Sequence, residues 1–343
     1  MNDELFMRRC FQLARNGAGN VSPNPTVGAV LVYEGKIIGE GWHQRWGEAH
    51  AEVNCLQSVL PENQSHIPYS TLFCNLEPCS HFGKTPPCTD LVLAQKIPRV
   101  VISNTDPNPL VAGKGLTKLK KAGVEVTEGI LEEEGRWLNR AFFTWINEQR
   151  PRIILKWAQS GDGFLGKKAE RTAISSPAAL RLVHRWRAEC DAILVGTNTA
   201  LLDNPRLDVR HYFGKRPLRI VFDIQGKISS SHHLFDDSTE TWVYGNTSKL
   251  AHFTQTSFIP VIGKVLIANL LEDLKLDNRA TLLVEGGANL LNQFVETGHW
   301  DEIRVLHNSR SLLDGVMAPQ VPHHAVLMEQ FQVGEDMVRI FTR

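Results

Sequence analysis

The chain has 343 residues, too many for one ordinary hydrophobic core, so two domains are expected. Hydrophobic residues make up 42% and charged residues 22%, the composition of a soluble globular protein. Lys plus Arg equals Asp plus Glu at 37 each, so no global positive field draws the chain to nucleic acid, and the longest apolar runs, such as 281–284, fall far short of a membrane span.

The first 17 residues, MNDELFMRRCFQLARNG, read as an amphipathic helix with an acidic first turn and a basic continuation; they lack the apolar core and cleavage site of a signal peptide. Residues 26–42 alternate around a Glu34-Gly35 turn and predict a β-hairpin. A helix is expected over 49–60, a strand over 69–76, and a helix opened by Pro87-Cys88. A strand at 98–103, a helix at 111–121, a strand at 124–127 and one helix over 131–146 complete the first half. Pro151 then stops the chain's helical pattern, so domains of 1–148 and 152–343 are expected. In the second, strands are expected at 152–157, 192–196, 218–223, 241–244, 281–285, 302–307 and 337–341, with helices at 177–189, 265–274 and 288–297. Strands alternating with helices argue for sheets covered on both faces.

The chemistry concentrates in His50-Ala51-Glu52, Glu77-Pro78-Cys79 and Cys88. One imidazole and two thiolates leave a fourth position open on a tetrahedral metal, which describes a catalytic rather than a structural zinc site. Water in that position becomes hydroxide near neutral pH once a base takes its proton, and Glu52 is placed to be that base. A lone histidine is usually a packing residue and a lone cysteine small core filler; the joint occurrence is what points to zinc. Cys10, Cys55, Cys74 and Cys190 fall in helix or strand patterns and read as core. The six cysteines are scattered and two have a better use than pairing, so a reducing cytoplasm is expected.

The His-x-Glu, Pro-Cys and second Cys resemble the signature of zinc nucleobase deaminases. That signature commonly spaces its cysteines Pro-Cys-x-x-Cys, whereas the string Ser80-His81-Phe82-Gly83-Lys84-Thr85-Pro86-Pro87 separates Cys79 from Cys88 here. LEPCSHFGKTPPC, Pro23-Asn24-Pro25-Thr26-Val27-Gly28, Gly41-Trp42-His43, HAEV and Asp106-Pro107-Asn108-Pro109 are similar to the deaminase domain of the bifunctional riboflavin-biosynthesis enzymes. The resemblance covers essentially the whole chain. It implies an α/β chain with a three-layer cytidine-deaminase-like domain followed by a dihydrofolate-reductase-like domain. It further implies deamination of a diaminopyrimidinone ribosyl phosphate with zinc on His50, Cys79 and Cys88 and Glu52 as proton shuttle, then reduction of the ribosyl chain with NADPH. Asn24, His43, His81 and Lys84 fall on positions that contact the substrate ring or phosphate; from the residues alone, Asn24 could be a turn residue and His43 a strand-end surface histidine.

In the second half, LLVEGGANLL reads as strand, Gly-Gly turn and helix, which leaves helix N–H groups free for an anion. Alone that is weak, because GxGxxG is absent. ILVGTNTALLDNPRLDVR reads, without context, as a strand and a solvated loop. The resemblance places Gln159, Thr199, Asp203, Gly286 and Gly287 around NADPH, and Arg187, Leu207, Arg210 and Glu285 around the substrate; Lys156 and Asp162 lie in KWAQSGDG, similar to the family's opening element. The chain departs from the pattern at Arg171 and Ala173, where the family often has Ser and Trp, and at Leu313-Asp314-Gly315, where it has a glycine pair. The expected partner is a small pyrimidine ribosyl phosphate, with no nucleic acid or membrane, and the expected assembly a homo-oligomer. Two other readings stay open: a deaminase of nucleosides or tRNA with an unrelated appendage, and a non-catalytic module whose zinc is structural. Glu52 speaks against the last, since a structural site needs no base.

Overall fold

The computed structural model describes residues 2–82, 86–109, 111–245, 253–261 and 266–343. The chain divides into two compact units, Met1–Arg150 and Pro151–Arg343. Among the described residues no helix is long and apolar enough to cross a membrane.

The first unit contains α1 (Asp3–Ala14), β1 (Gly28–Tyr33), β2 (Lys36–Trp42), α2 (Ala51–Gln57), β3 (Thr71–Leu76), α3 (Cys88–Ala94), β4 (Arg99–Asn104), α4 (Lys114–Lys121), β5 (Glu125–Thr127), α5 (Glu132–Leu138) and α6 (Arg140–Glu148). Its sheet runs β2-β1-β3-β4-β5. β1 is antiparallel to both neighbours, and β3, β4 and β5 are parallel. The period-two pattern divides each strand between two cores. Val30, Val32, Phe73 and Val101 meet Phe6, Met7, Cys10 and Phe11 of α1 on one face. Ala29, Leu31, Leu72, Cys74 and Val100 meet Cys55 of α2, Val92 of α3 and Leu116 and Leu119 of α4 on the other. The result is three layers. α1 starts where the Asn2 side chain accepts Leu5 N–H, with Asp3 and Glu4 in its first turn. Gly41 lets α2 lie directly on β2, because a Cβ there would come within 2.2 Å of the Cys55 nitrogen.

Two boundaries differ from expectation for a physical reason. The helix expected over 49–60 begins only at Ala51, so His50 is its N-cap in extended conformation rather than a helical residue. The helix expected over 131–146 is two helices, broken at Asn139. Asn139 is 4% exposed. Its side-chain oxygen accepts Thr26 N–H at 2.8 Å and Thr26 O–H at 2.9 Å, and its amide donates to Thr26 O at 3.0 Å. Asn139→Ala is expected to cost about 1–3 kcal/mol, the desolvation penalty of the orphaned Thr26 groups. Urea unfolding followed by a probe in this unit checks it; an unchanged midpoint would show that Thr26 finds other partners.

The second unit contains β6 (Arg152–Gln159), β7 (Phe164–Gly166), α7 (Pro177–Glu189), β8 (Ala192–Gly196), α8 (Thr197–Asp203), β9 (Leu218–Phe222), β10 (Thr241–Tyr244), β11 (Thr256–Ile259), α9 (Leu266–Leu276), β12 (Thr281–Val284), α10 (Ala288–Glu296), β13 (Glu302–Asn308), β14 (Val316–Met317), β15 (Val326–Val333) and β16 (Asp336–Thr342). Nine strands form one sheet in the order β11-β10-β9-β8-β12-β6-β13-β16-β15. The strands from β11 to β13 are parallel, and β15 and β16 add an antiparallel hairpin at the edge. The central strands β8, β9 and β12 are nearly continuous apolar runs, as burial on both faces requires. Ile153, Leu155 and Trp157 point into the core shared with α9 and α10, and Ile154 into the opposite one. α7 opens with Ser176, whose hydroxyl accepts Ala179 N–H, and Pro177. α8 corrects the loop expected after β8, and β7, β11, β14 and β15 were not anticipated. Val265, the expected start of α9, lies outside the described residues.

Candidate active sites

In the first unit, chemistry-bearing residues gather at the carboxyl ends of β3 and β4, where open parallel sheets place their ligands. Cys79 follows β3, Asp106 follows β4, His50 caps α2, and Cys88 is the first residue of α3. His50 Nδ1 stands 3.6 Å from Cys79 Sγ and 3.4 Å from Cys88 Sγ. All three ligand atoms lie within 4.8 Å of one another. A tetrahedral zinc with ordinary Zn–N and Zn–S bonds has an N···S edge of about 3.5 Å, so the donor set fits that ion. Hydrogen bonds from Cys88 and His50 lower the pKa of the Cys79 thiol despite its burial, while the same pairing and burial push that of Cys88 up. Thiolate is the form a metal needs.

Glu52, in the first turn of α2, is 3% exposed, and burial pushes its carboxyl upward while His50 pulls it back. It borders a cavity of about 280 Å³ that Asn24, His43, Trp46, Asp106, Asn108 and Phe142 also line. His43 Nδ1 faces the Ala49 carbonyl at 3.1 Å and must therefore donate to it. Its Nε2 is then an acceptor, buried and without a partner among the described residues. Burial lowers the His43 pKa, which keeps the ring neutral. Of the deaminase residues anticipated from sequence, Asn24, His43, His50, Glu52, Cys79 and His81 line this cavity, and Cys88 closes the ligand cluster. Lys84 lies outside the described residues. Sequence reasoning missed Trp46 and Phe142, whose aromatic rings carry no local mark of a site, and assigned no role to Glu77.

In the second unit a cavity of about 480 Å³ opens at the carboxyl ends of the parallel strands β6, β8 and β12. Thr199, Asp203, Gly286, Gly287, Arg187, Leu207, Arg210 and Glu285 all line it. Gln159 does not; its side-chain oxygen instead accepts Trp157 Nε1–H at 2.7 Å. The lining is cationic, with Lys156, Arg171, Arg187, Arg206 and Arg210 against Asp203 and Glu285. Such a wall suits a ligand carrying several phosphates. Arg187 is already heavily committed: Nε and one terminal nitrogen donate to the Glu285 carboxylate at 2.9 and 2.7 Å, and the other to Asp208 O at 3.3 Å. Lys156 approaches the same carboxylate at 3.8 Å. Despite full burial, Arg187 and Lys156 hold the Glu285 carboxyl down to about 2. For Lys156, at the longer distance, burial prevails and lowers its pKa. His184 and His233 also line the cavity, and neither stands out in the sequence.

Comparison with known proteins follows the same division. Residues 1–104 match the family model of the cytidine and deoxycytidylate deaminase zinc-binding region, and residues 151–320 that of the RibD C-terminal domain. The riboflavin biosynthesis protein RibD of Aquifex aeolicus is 37% identical, over 99% of this chain and 98% of its own length. The chain belongs to the RibD family. RibD of Escherichia coli is 36% identical over 89% of this chain and 87% of its own. The crystal structure of a Thermotoga maritima diaminohydroxyphosphoribosylaminopyrimidine deaminase/5-amino-6-(5-phosphoribosylamino)uracil reductase superposes with a TM-score of 0.91 at 31% identity, covering 99% of this chain and 98% of that one. The chain is therefore a zinc deaminase fused to an NADPH-dependent reductase, and the nucleoside, tRNA and structural-zinc readings are not favoured.

Proposed function

We propose that the first unit deaminates 2,5-diamino-6-ribosylamino-pyrimidinone 5'-phosphate and that the second reduces the ribosyl chain of the product to ribityl. The observation that carries the first assignment is the His50, Cys79 and Cys88 cluster beside a buried Glu52 at a cavity into which His43 brings an unpartnered acceptor. Zinc held by the three ligands supplies the Lewis acid that makes water a nucleophile near neutral pH. Glu52 takes the proton from the attacking water and returns it to the departing amine, which leaves as ammonia while the ring carbon gains oxygen. His43 Nε2 accepts an N–H of the ring, and Asn24 and His81 orient ring and ribosyl phosphate.

In the second unit NADPH supplies the hydride, and the protein supplies orientation and charge. Thr199, Asp203, Gly286 and Gly287 would hold the cofactor, and Gln159 would act on the cavity only through its hydrogen bond to the lining residue Trp157. Leu207, Glu285 and Arg187 would hold the ribosyl chain. Arg210, about half exposed and paired with the Asp208 carboxylate, is less committed than Arg187 and better placed to meet the phosphate. The six free cysteines are in keeping with a cytoplasmic location.

Metal analysis of the intact chain is expected to find about one zinc, as the three-ligand site requires. Removing it with a chelator should abolish ammonia release from the diamino substrate, while NADPH oxidation with the deaminated substrate continues. Deamination that survives complete zinc removal would sink the assignment.

A further inference from the structure

Glu77 sits between the zinc-ligand loop and a wall of the deaminase cavity. Its own N–H is tied to Asn104 O at 2.9 Å, and its side chain is almost fully buried. One carboxylate oxygen accepts Gly113 N–H at 2.9 Å and Asp106 N–H at 3.3 Å. The other accepts Gly115 N–H at 3.0 Å and Leu116 N–H at 3.3 Å. α4 has no cap from its own sequence: its N-cap is Gly113, at φ +73°, with no side-chain oxygen to offer. Glu77 thus caps that helix from across the sheet and, with the same carboxylate, ties down Asp106.

These bonds grip both ends of the segment that brings Asp106, Asn108 and Val111 to the cavity. The first helical turn is seated on the ligand loop itself, since a Cβ on Gly115 would lie 2.3 Å from Pro78 O. Two residues beyond Glu77 is the ligand Cys79. With four N–H groups filling its lone pairs, the carboxylate has no capacity left for proton transfer.

We propose that Glu77 is a positioning residue of the deaminase: its carboxylate fixes the wall formed by Asp106, Asn108 and Val111 against Pro78 and Cys79 and so sets the affinity for the pyrimidine substrate. This rests on reading the cavity as the deaminase site. Glu77→Gln keeps the volume but turns an NH₂ group toward two of the four backbone N–H groups, which removes half the grip. In the intact zinc-loaded chain, E77Q is expected to raise KM for deamination about ten-fold or more, with kcat within about three-fold. Zinc content and the kinetics of NADPH-dependent reduction should stay as in the parent. An unchanged KM, or a fall in kcat at unchanged KM, overturns the proposal.

Asn108→Ala adds a second check. Alone it should raise KM, and in the E77Q background it should raise it by a smaller factor, because both act through one wall. Strictly multiplicative effects overturn the proposal. Hydrogen exchange on the unaltered chain needs no variant: the amides of Asp106, Gly113, Gly115 and Leu116 should be strongly protected, and free exchange there also overturns it. Failure of the underlying reading looks different, since it would show as full turnover by Glu52→Gln whatever the KM of E77Q.

Discussion

Glu52→Gln is expected to lower deaminase kcat about 10³-fold, the scale of a lost general acid and base. The size follows from the position. Glu52 is buried at 3% exposure, two residues from the ligand His50, and borders the cavity with no other carboxylate on its helix. Deamination requires one group both to take a proton from water and to deliver one to the leaving nitrogen. Glutamine fills the same space but can do neither. Zinc content should remain about one per chain, because the three ligand side chains are untouched. NADPH oxidation with deaminated substrate provides an internal control in the same preparation. Ammonia release under single-turnover conditions is the measurement, and a rate near that of the parent would remove Glu52 from the mechanism.

The second large effect is expected at Glu285. Its carboxylate neutralises Arg187 through two hydrogen bonds and faces Lys156 at 3.8 Å, all in a buried cluster. Glu285→Gln removes the nearest counter-charge of two buried cations and should destabilise the second unit by about 3–5 kcal/mol. The same residue gives the unit an acid limit. Its folded carboxyl is held near 2 against an ordinary 4.5. The stabilisation is therefore complete above about pH 4.5 and is lost as pH falls from there toward 2, by about 3 kcal/mol in all. Denaturant unfolding at a series of pH values should show this decline in the parent and a much flatter acid limb in E285Q. Equal acid slopes in the two proteins would mean that the cluster does not hold the charge.

The deaminase half was far more legible in the sequence than the reductase half. His50, Glu52, Cys79 and Cys88 could be read because metal chemistry restricts both residue type and order. The cationic wall of the second cavity is assembled from positions as distant as Lys156 and Arg210, and lone arginines carry no such mark. Boundaries failed where a long-range bond outvoted local propensity. Asn139 breaks a helical pattern for the sake of Thr26, 113 residues earlier. α8 escaped notice because Gly196 offers it no side-chain cap. β15 escaped because it is an edge strand, mostly exposed along its length, and so shows no apolar alternation; its bonds to β16 make it a strand. Glu77 was quoted only as part of a motif, since nothing local reveals that its partners lie 29 to 39 residues away.

Among the described residues each unit closes its own cores over its own sheet, those of residues 1–150 drawing no side chain from beyond Arg150 and those of residues 151–343 none from before Pro151. Damage to one cavity thus need not spread to the other. Two alleles of this single gene, one altered at Glu52 and one in the reductase cavity, should complement each other as two separate genes do, with the intermediate passing between chains.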